Sequence, residues 1–155
     1  MFETRLFEEK DLPDVVHINW ACLPENYTNS FFLDVHKQFP QTFLVTTIDD
    51  KTVGYIMCRV EMDFSGLKKF KLAKKGHVIS LAVLPDHRMQ GIAHDLLSKV
   101  MKNISAYGVS ECYLEVRVSN VTAITLYQDL GFKILRTIPG YYQNGESAHV
   151  MVATI

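Results

Sequence analysis

The sequence predicts an α/β fold built on a mixed sheet, and three observations carry that reading. The hydrophobic period switches repeatedly between the strand and helix values along the 155 residues. Two β-branched and aromatic runs joined by a short polar turn lie early in the chain, as in an antiparallel hairpin. From residue 77 onward strands alternate with helical patterns, as in βαβ units. With 48% hydrophobic and 21% charged residues, and no Pro/Gly/Ser-rich linker, repeat or low-complexity tract, residues 1–155 are expected to form a single domain.

Each element has a local reason. FETRLF reads as a first strand. DLPDVVHINWACL has an acidic start and a proline in its first turn, which favours a helix, and LPENY after it is a turn. NSFFLDVHKQF sets Phe31, Phe32, Val35 and Phe39 on one helical face. TFLVTTID and TVGYIMCRVEMD are strands joined at Asp49-Asp50-Lys51, and a lysine-rich connection leads to the fourth strand, HVISLAVL. A helix from about Gly91 to Tyr107 carries a stripe of Ala93, Leu97, Val100 and Ile104. ECYLEVRV is a strand, NVTAITLYQDL a helix ended by Gly131, and FKILRTI and SAHVMVATI are strands either side of the turn at Asn144-Gly145. Hairpins early and βαβ units late give a mixed sheet with helices on both faces.

Charge and cysteine usage exclude several functions. A net charge of −1 provides no global attraction to DNA or anionic lipid, so any anion site must be local. No stretch reaches the roughly 18 apolar residues of a membrane span, and MFETRLFEEK has no apolar signal core. Cys22, Cys58 and Cys112 are odd in number and lack a CxxC pair, against a disulfide framework or zinc ribbon. A soluble cytoplasmic protein with no required metal is expected.

The junction HRMQGIA, residues 87–93, joins the fourth strand to a helix. A strand feeding directly into a helix start presents unpaired backbone N–H groups and the positive end of the helix dipole, and Gly91 permits close approach of a bulky anion. That combination suits a pyrophosphate. Neither GxGxxG nor GxxxxGK[ST] is present, so dinucleotide and ATP cradles fall away. The spacing R-x-x-G-x-A, here Arg88, Gly91 and Ala93, resembles the coenzyme A motif of the GCN5-related N-acetyltransferases. Asn120, Ala123, Tyr127, Gly131 and Phe132 match that family's second motif, N-x-x-A-x-x-x-Y-x-x-x-G-F. The likeness covers nearly the whole chain. LPENY and GYYQNGESA narrow it to protein N-terminal acetyltransferases, resembling archaeal relatives of the catalytic subunit of the ribosome-associated enzyme, with the bacterial RimI type next. Met89 stands where a second arginine is common.

The resemblance implies a sheet of about seven mostly antiparallel strands whose fourth strand is splayed near its end. It implies acetyl-CoA as cosubstrate, held by Leu81, Ala82, Val83, Arg88, Met89, Gln90, Gly91, Ile92, Ala93, Asn120, Ala123 and Tyr127. Transfer needs a neutral amine, a donor for the developing oxyanion and a proton for the departing thiolate. By resemblance the backbone N–H of Val83 faces the thioester oxygen and the Tyr127 hydroxyl approaches the sulfur. Tyr127 is otherwise a core aromatic, Arg88 an exposed loop arginine, and Asn120 a helix N-cap, a role compatible with touching the pantetheine.

Acceptor recognition rests by resemblance on Glu25, as base or amine ligand, with Tyr27, Tyr141 and Tyr142 walling a narrow entrance for an extended N-terminus. Their plainer readings are an ordinary turn with an exposed carboxylate, and rim packing beside the final hairpin. His77 resembles a second base of the family and is otherwise a satisfied strand histidine. Glu115 on the adjoining strand would share an ordered water with it, or an adventitious metal ion. Lys68, Lys69, Lys71, Lys74 and Lys75 form a solvated loop or a contact with ribosomal RNA. An acyl-cysteine route through Cys22 has no support at family spacing. The resulting expectation is direct transfer of acetyl to the α-amine of protein N-termini beginning with Ser, Ala, Thr or Met. The alternatives are a lysine or small-amine acetyltransferase and a non-catalytic CoA-binding module.

Overall fold

Every strand and helix expected from the sequence is present in the computed structural model, which describes residues 1–155. In chain order these are β1 (Glu3–Leu6), α1 (Leu12–Cys22), α2 (Asn29–Gln38), β2 (Phe43–Ile48), β3 (Lys51–Phe64), β4 (Leu72–Val83), α3 (Ile92–Ile104), β5 (Glu111–Arg117), α4 (Val121–Asp129), β6 (Lys133–Ile138) and β7 (Ala148–Thr154). The strands form one seven-stranded sheet in the order β1-β2-β3-β4-β5-β7-β6. The pairings β1–β2, β2–β3, β5–β7 and β6–β7 are antiparallel. β4 pairs with β5 in parallel through Lys75–Glu111, Gly76–Cys112 and His77–Tyr113. A mixed, mostly antiparallel sheet with four helices is the expected α/β class.

Local chemistry sets the boundaries. Asp49 and Asp50 both have positive φ, 49° and 64°, the two-residue turn that matches strand twist, and Lys51 already pairs with Ile48. Thr28 caps α2 by accepting from Phe31 N at 3.1 Å, and Asn120 caps α4 by accepting from Ala123 N at 3.2 Å. α3 stops at Ile104 and continues to Tyr107 only as a 3-10 turn, ended by Gly108 at φ 74°. β4 starts at Leu72, five residues ahead of the expected strand, so the lysine-rich segment is partly strand. Its residues alternate in exposure, and Lys75 is half-buried with its ammonium over the Tyr113 ring at 4.5 Å. Long lysine stems fit a strand when the head group finds a partner.

The residues pack as two compact units, Met1–Arg59 with Ile79–Ile104, and Val60–Val78 with Ser105–Ile155. In the first, Phe43 and Val45 of β2 and Tyr55 and Met57 of β3, alternate residues and hence one face, meet Val15 and Ile18 of α1 and Phe32 and Val35 of α2. α3 covers the alternate face, burying Ile92, Leu96, Leu97, Val100 and Ile104. Gly54 makes room there, since a methyl on it would come within 3.2 Å of Ala82 O and 3.4 Å of Ile92 Cγ2. In the second unit β7 lies between β5 and β6 with Ala148, Val150, Met151, Val152 and Ala153 buried, while edge strand β6 is exposed. No helix is long and apolar enough to cross a membrane.

Candidate functional site

In the first unit, the LPENY turn is held by a buried residue of α1. Asn19 is 0% exposed on the stripe that also carries Val15 and Ile18. Its Nδ2 donates to Glu25 O at 3.1 Å and to Tyr55 Oη at 3.1 Å, and its Oδ1 accepts from Tyr27 N at 3.2 Å. Tyr55 Oη in turn bonds Ser80 Oγ of β4 at 2.6 Å. Burial pushes the Tyr55 hydroxyl up to about 12, so it stays neutral at any working pH. Asn26 closes the turn by donating to Leu23 O at 2.9 Å. Glu25 is thus half-buried on a fixed backbone. Tyr27 stacks on Phe31 with centroids 5.0 Å apart, and its hydroxyl reaches Ile79 O at 3.4 Å. LPENY is therefore a built feature and not a loose turn. A polar Asn on an otherwise apolar helix face was the available signal for it.

Further along the same unit, β4 ends at Val83 and a short 3-10 turn, Pro85–His87, leads to α3. Arg88 Nε donates to Val83 O at 2.8 Å, and Cys22 Sγ approaches the same oxygen at 3.7 Å. The Arg88 side chain thus ties the loop to the strand it leaves. Met89 and Gly91 have left-handed φ of 62° and 84°. Gly91 O accepts from Asp95 N at 3.0 Å, the first helical bond of α3, so the amides of Ile92 and Ala93 are among the unpaired donors of its first turn. A methyl on Gly91 would meet no heavy atom within 4 Å, so the approach to that turn is open. An anionic group fits this cradle by charge and by space.

In the second unit the structure brings His77 and Glu115 together directly. His77 Nε2 lies 2.7 Å from Glu115 Oε1, and Nδ1 lies 2.9 Å from Glu61 Oε2. The imidazole stacks on Tyr113 at 4.3 Å with planes 6° apart, and the Tyr113 hydroxyl donates to Glu61 Oε1. Burial opposes charge on His77, but hydrogen bonds and attraction from Glu115 and Glu61 outweigh it and raise the pKa above the ordinary value. No group of three or more His, Cys, Asp and Glu side chains is arranged to hold a metal ion. Glu61 and Tyr113 are functional candidates that the sequence reading missed. Glu111 was missed as well: it is buried and accepts from Ser65 Oγ at 2.7 Å and Gly66 N at 2.6 Å, fastening the segment between β3 and β4.

Also in this unit, Asn120 is the N-cap of α4, and Ala123 and Tyr127 follow on that helix. Tyr127 is buried, its ring 6.0 Å from that of Phe132, whose N–H donates to Tyr127 O at 2.9 Å. Tyr141 and Tyr142 meet edge to face at 4.9 Å. Arg117, at the end of β5, lies 3.9 Å over the Tyr142 ring and bonds Asn144 Oδ1 at 3.1 Å and Glu146 Oε1 at 3.2 Å. Glu146 Oε2 also accepts from Ser119 N at 3.0 Å. These bonds fix the β6–β7 loop against the start of α4, which no spacing in the sequence foretells.

Comparison with known proteins shows the family and the fold. The model of the acetyltransferase (GNAT) family matches residues 12–132. An N-alpha-acetyltransferase of Saccharolobus solfataricus is 44% identical over 152 residues, covering 97% of this chain and 91% of its own. The crystal structure of Ard1 from Thermoplasma volcanium is similar with a TM-score of 0.84 at 27% identity, covering 99% of this chain and 97% of the other. Arabidopsis thaliana Naa50 in complex with the bisubstrate analogue CoA-Ac-MVNAL is similar with a TM-score of 0.84 at 28% identity, covering 99% of each chain.

Proposed function

Because the chain belongs to the acetyltransferase (GNAT) family, we propose that it acetylates the free α-amino group of protein N-termini, with acetyl-CoA as donor. The observation that carries this reading is the open, Gly91-led first turn of α3 directly after β4. It is supported by the 44% identity to a protein named N-alpha-acetyltransferase. The cosubstrate supplies an activated acetyl thioester. The amides of Ile92 and Ala93, with the helix dipole behind them, bind its pyrophosphate, and Arg88 keeps the loop in that shape. Leu81, Ala82 and Val83 line the pantetheine arm in this reading, joined by Asn120 and Ala123, and the Val83 N–H steadies the carbonyl oxygen as charge develops there. Met89 and Gln90 shape the loop around the phosphates.

On the acceptor side, Glu25 binds the amine from its fixed turn, and Tyr27, Tyr141 and Tyr142 confine an extended peptide. His77 and Glu115 form the proton-handling pair, and Tyr127 protonates the departing sulfur. An α-amine needs only a weak base, since about a tenth of it is neutral at pH 7, against fewer than about one lysine in a thousand. Starts with Ser, Ala, Thr or Met are the proposed substrates. A panel of such peptides with labelled acetyl-CoA tests the reading, and each should lose its label when its N-terminus is blocked. Undiminished labelling of an internal lysine in the blocked peptides would instead favour a side-chain acetyltransferase.

Three finer points belong to the same proposal. A cytoplasmic location is supported by three free cysteines. A single domain is supported by β3 and β4, each of which contributes residues to both compact units. Contact with ribosomal RNA is supported by exposed Lys68, Lys69, Lys71 and Lys74 alongside Phe64 and Phe70, 62% and 88% exposed. Binding of ribosomes should then weaken steeply with salt, and a Lys68→Glu, Lys69→Glu, Lys71→Glu variant should lose it while keeping activity on free peptides.

A further inference from the structure

His77 is held between two acceptors. An ionised carboxylate can only accept, so with Glu61 at 2.9 Å from Nδ1 and Glu115 at 2.7 Å from Nε2, both ring nitrogens carry protons and neither has a lone pair to offer. Glu61 takes hydrogen bonds from His77 and from the Tyr113 hydroxyl together, which favours its ionised form. Other charged groups near the ring include Lys75 of β4, whose ammonium lies 4.5 Å over Tyr113, and Glu111 of β5, 4.0 Å from that ammonium. Arg59 precedes Glu61 on the same face of β3. The raised pKa of His77 agrees with this arrangement.

We propose that Glu61 is a positioning residue that keeps His77 an imidazolium bridging to Glu115, and that Glu115, not the imidazole, accepts the proton of the incoming amine. The proposal rests on the N-terminal acetyltransferase reading. In the step, one N–H bond of the ammonium breaks and an O–H bond forms on the free carboxylate oxygen of Glu115. The positive nitrogen and the negative carboxylate both become neutral. His77 remains protonated throughout and holds the Glu115 carboxylate in place through the Nε2 hydrogen bond at 2.7 Å. Glu115 afterwards returns the proton to solvent.

The test is side-chain ¹⁵N NMR of His77 in the full chain between pH 5 and 9, paired with pH profiles of kcat/KM. In the parent both ring nitrogens should be protonated at pH 7. The isosteric Glu61→Gln should lower the His77 pKa by about one unit or more, and Glu61→Asp should restore part of it. Glu61→Gln should lower kcat with little change in KM and introduce a new ionisation near neutrality in kcat/KM. A purely structural role would produce no such ionisation. Glu115→Gln should cost roughly 10² to 10⁴ in kcat/KM, the range of general-base effects, and His77→Gln less. A neutral His77 tautomer in the parent at pH 7, or parental kcat/KM in Glu115→Gln, overturns the proposal alone. Absence of any transfer to α-amines by the parent overturns the N-terminal acetyltransferase reading and this proposal with it.

Discussion

Single residues decide how firmly the LPENY turn and the loop leading into α3 are built. Asn19 spends its side chain on Glu25 O, Tyr55 Oη and Tyr27 N, so Asn19→Ala leaves buried partners unmade. A loss of about 1 to 3 kcal/mol is expected, or roughly 2 to 4 °C in Tm for each kcal/mol in a chain of this size. Thermal unfolding beside Asn26→Ala, whose amide is only half-buried, checks it; equal Tm in Asn19→Ala and the parent would remove the turn's anchor from the account. Gly91 has φ 84° with open space in front of it. A β-carbon there meets no atom, so the cost of a valine includes backbone strain of about 1 to 2 kcal/mol together with loss of the open space in front of the turn. Gly91→Val should therefore bind CoA at least tenfold more weakly in calorimetry, and parental affinity would count against the cradle.

At the scale of elements, two loops are held by arginines that reach back to a strand end. Arg88 Nε bonds Val83 O where β4 gives way to the α3 loop. Arg88→Ala should weaken CoA binding only severalfold, because the backbone amides of α3 remain, and Arg88→Lys should not rescue it, since lysine lacks the fixed guanidinium fork. Arg117, at the end of β5, holds the β6–β7 loop through Tyr142, Asn144 and Glu146. If that loop confines the peptide, Arg117→Ala should raise KM for peptides severalfold and leave CoA affinity near parental. A matched fall in CoA affinity would mean that the loop supports the cosubstrate side instead.

For the molecule as a whole, stability should depend on pH at both ends. The His77 pKa is raised in the folded state, so its stabilising contribution is complete below the ordinary value of 6.5 and is lost as pH rises through the folded value. Asp11, paired with Arg5 at 2.7 and 2.8 Å, has a lowered pKa despite burial that opposes its charge. Its contribution is present above the ordinary value of 3.8 and is lost as pH falls through the folded value. Urea midpoints should be flat between those limits and decline on either side. His77→Gln should flatten the alkaline decline and leave the acid limb alone, and an unchanged alkaline limb would show that some other group causes it.

Much of this molecule was legible in local pattern. Strand and helix periods, the Asp49-Asp50 turn, the Asn120 cap and the Gly91 junction each depend on neighbours within about a dozen residues, and physical rules for such neighbours are strong. Membership of a family was readable for the same reason, because Arg88, Gly91 and Ala93 and then Asn120 to Phe132 are short-range spacings. The contacts that give the site its chemistry lie elsewhere. Asn19 meets Tyr55 from 36 residues away, Tyr55 meets Ser80 from 25, and His77 meets Glu61 and Glu115 from 16 and 38. Strand register decides where Tyr55, Ser80, His77, Glu61 and Glu115 face, and a shift of one residue would turn each of them to the other side of the sheet. By itself the sequence determined which elements form and that a glycine-led junction joins β4 to α3. Only the tertiary structure decided that His77 faces two carboxylates, which raises its pKa, because protonation follows from what surrounds a group in space and not from what precedes it in the chain.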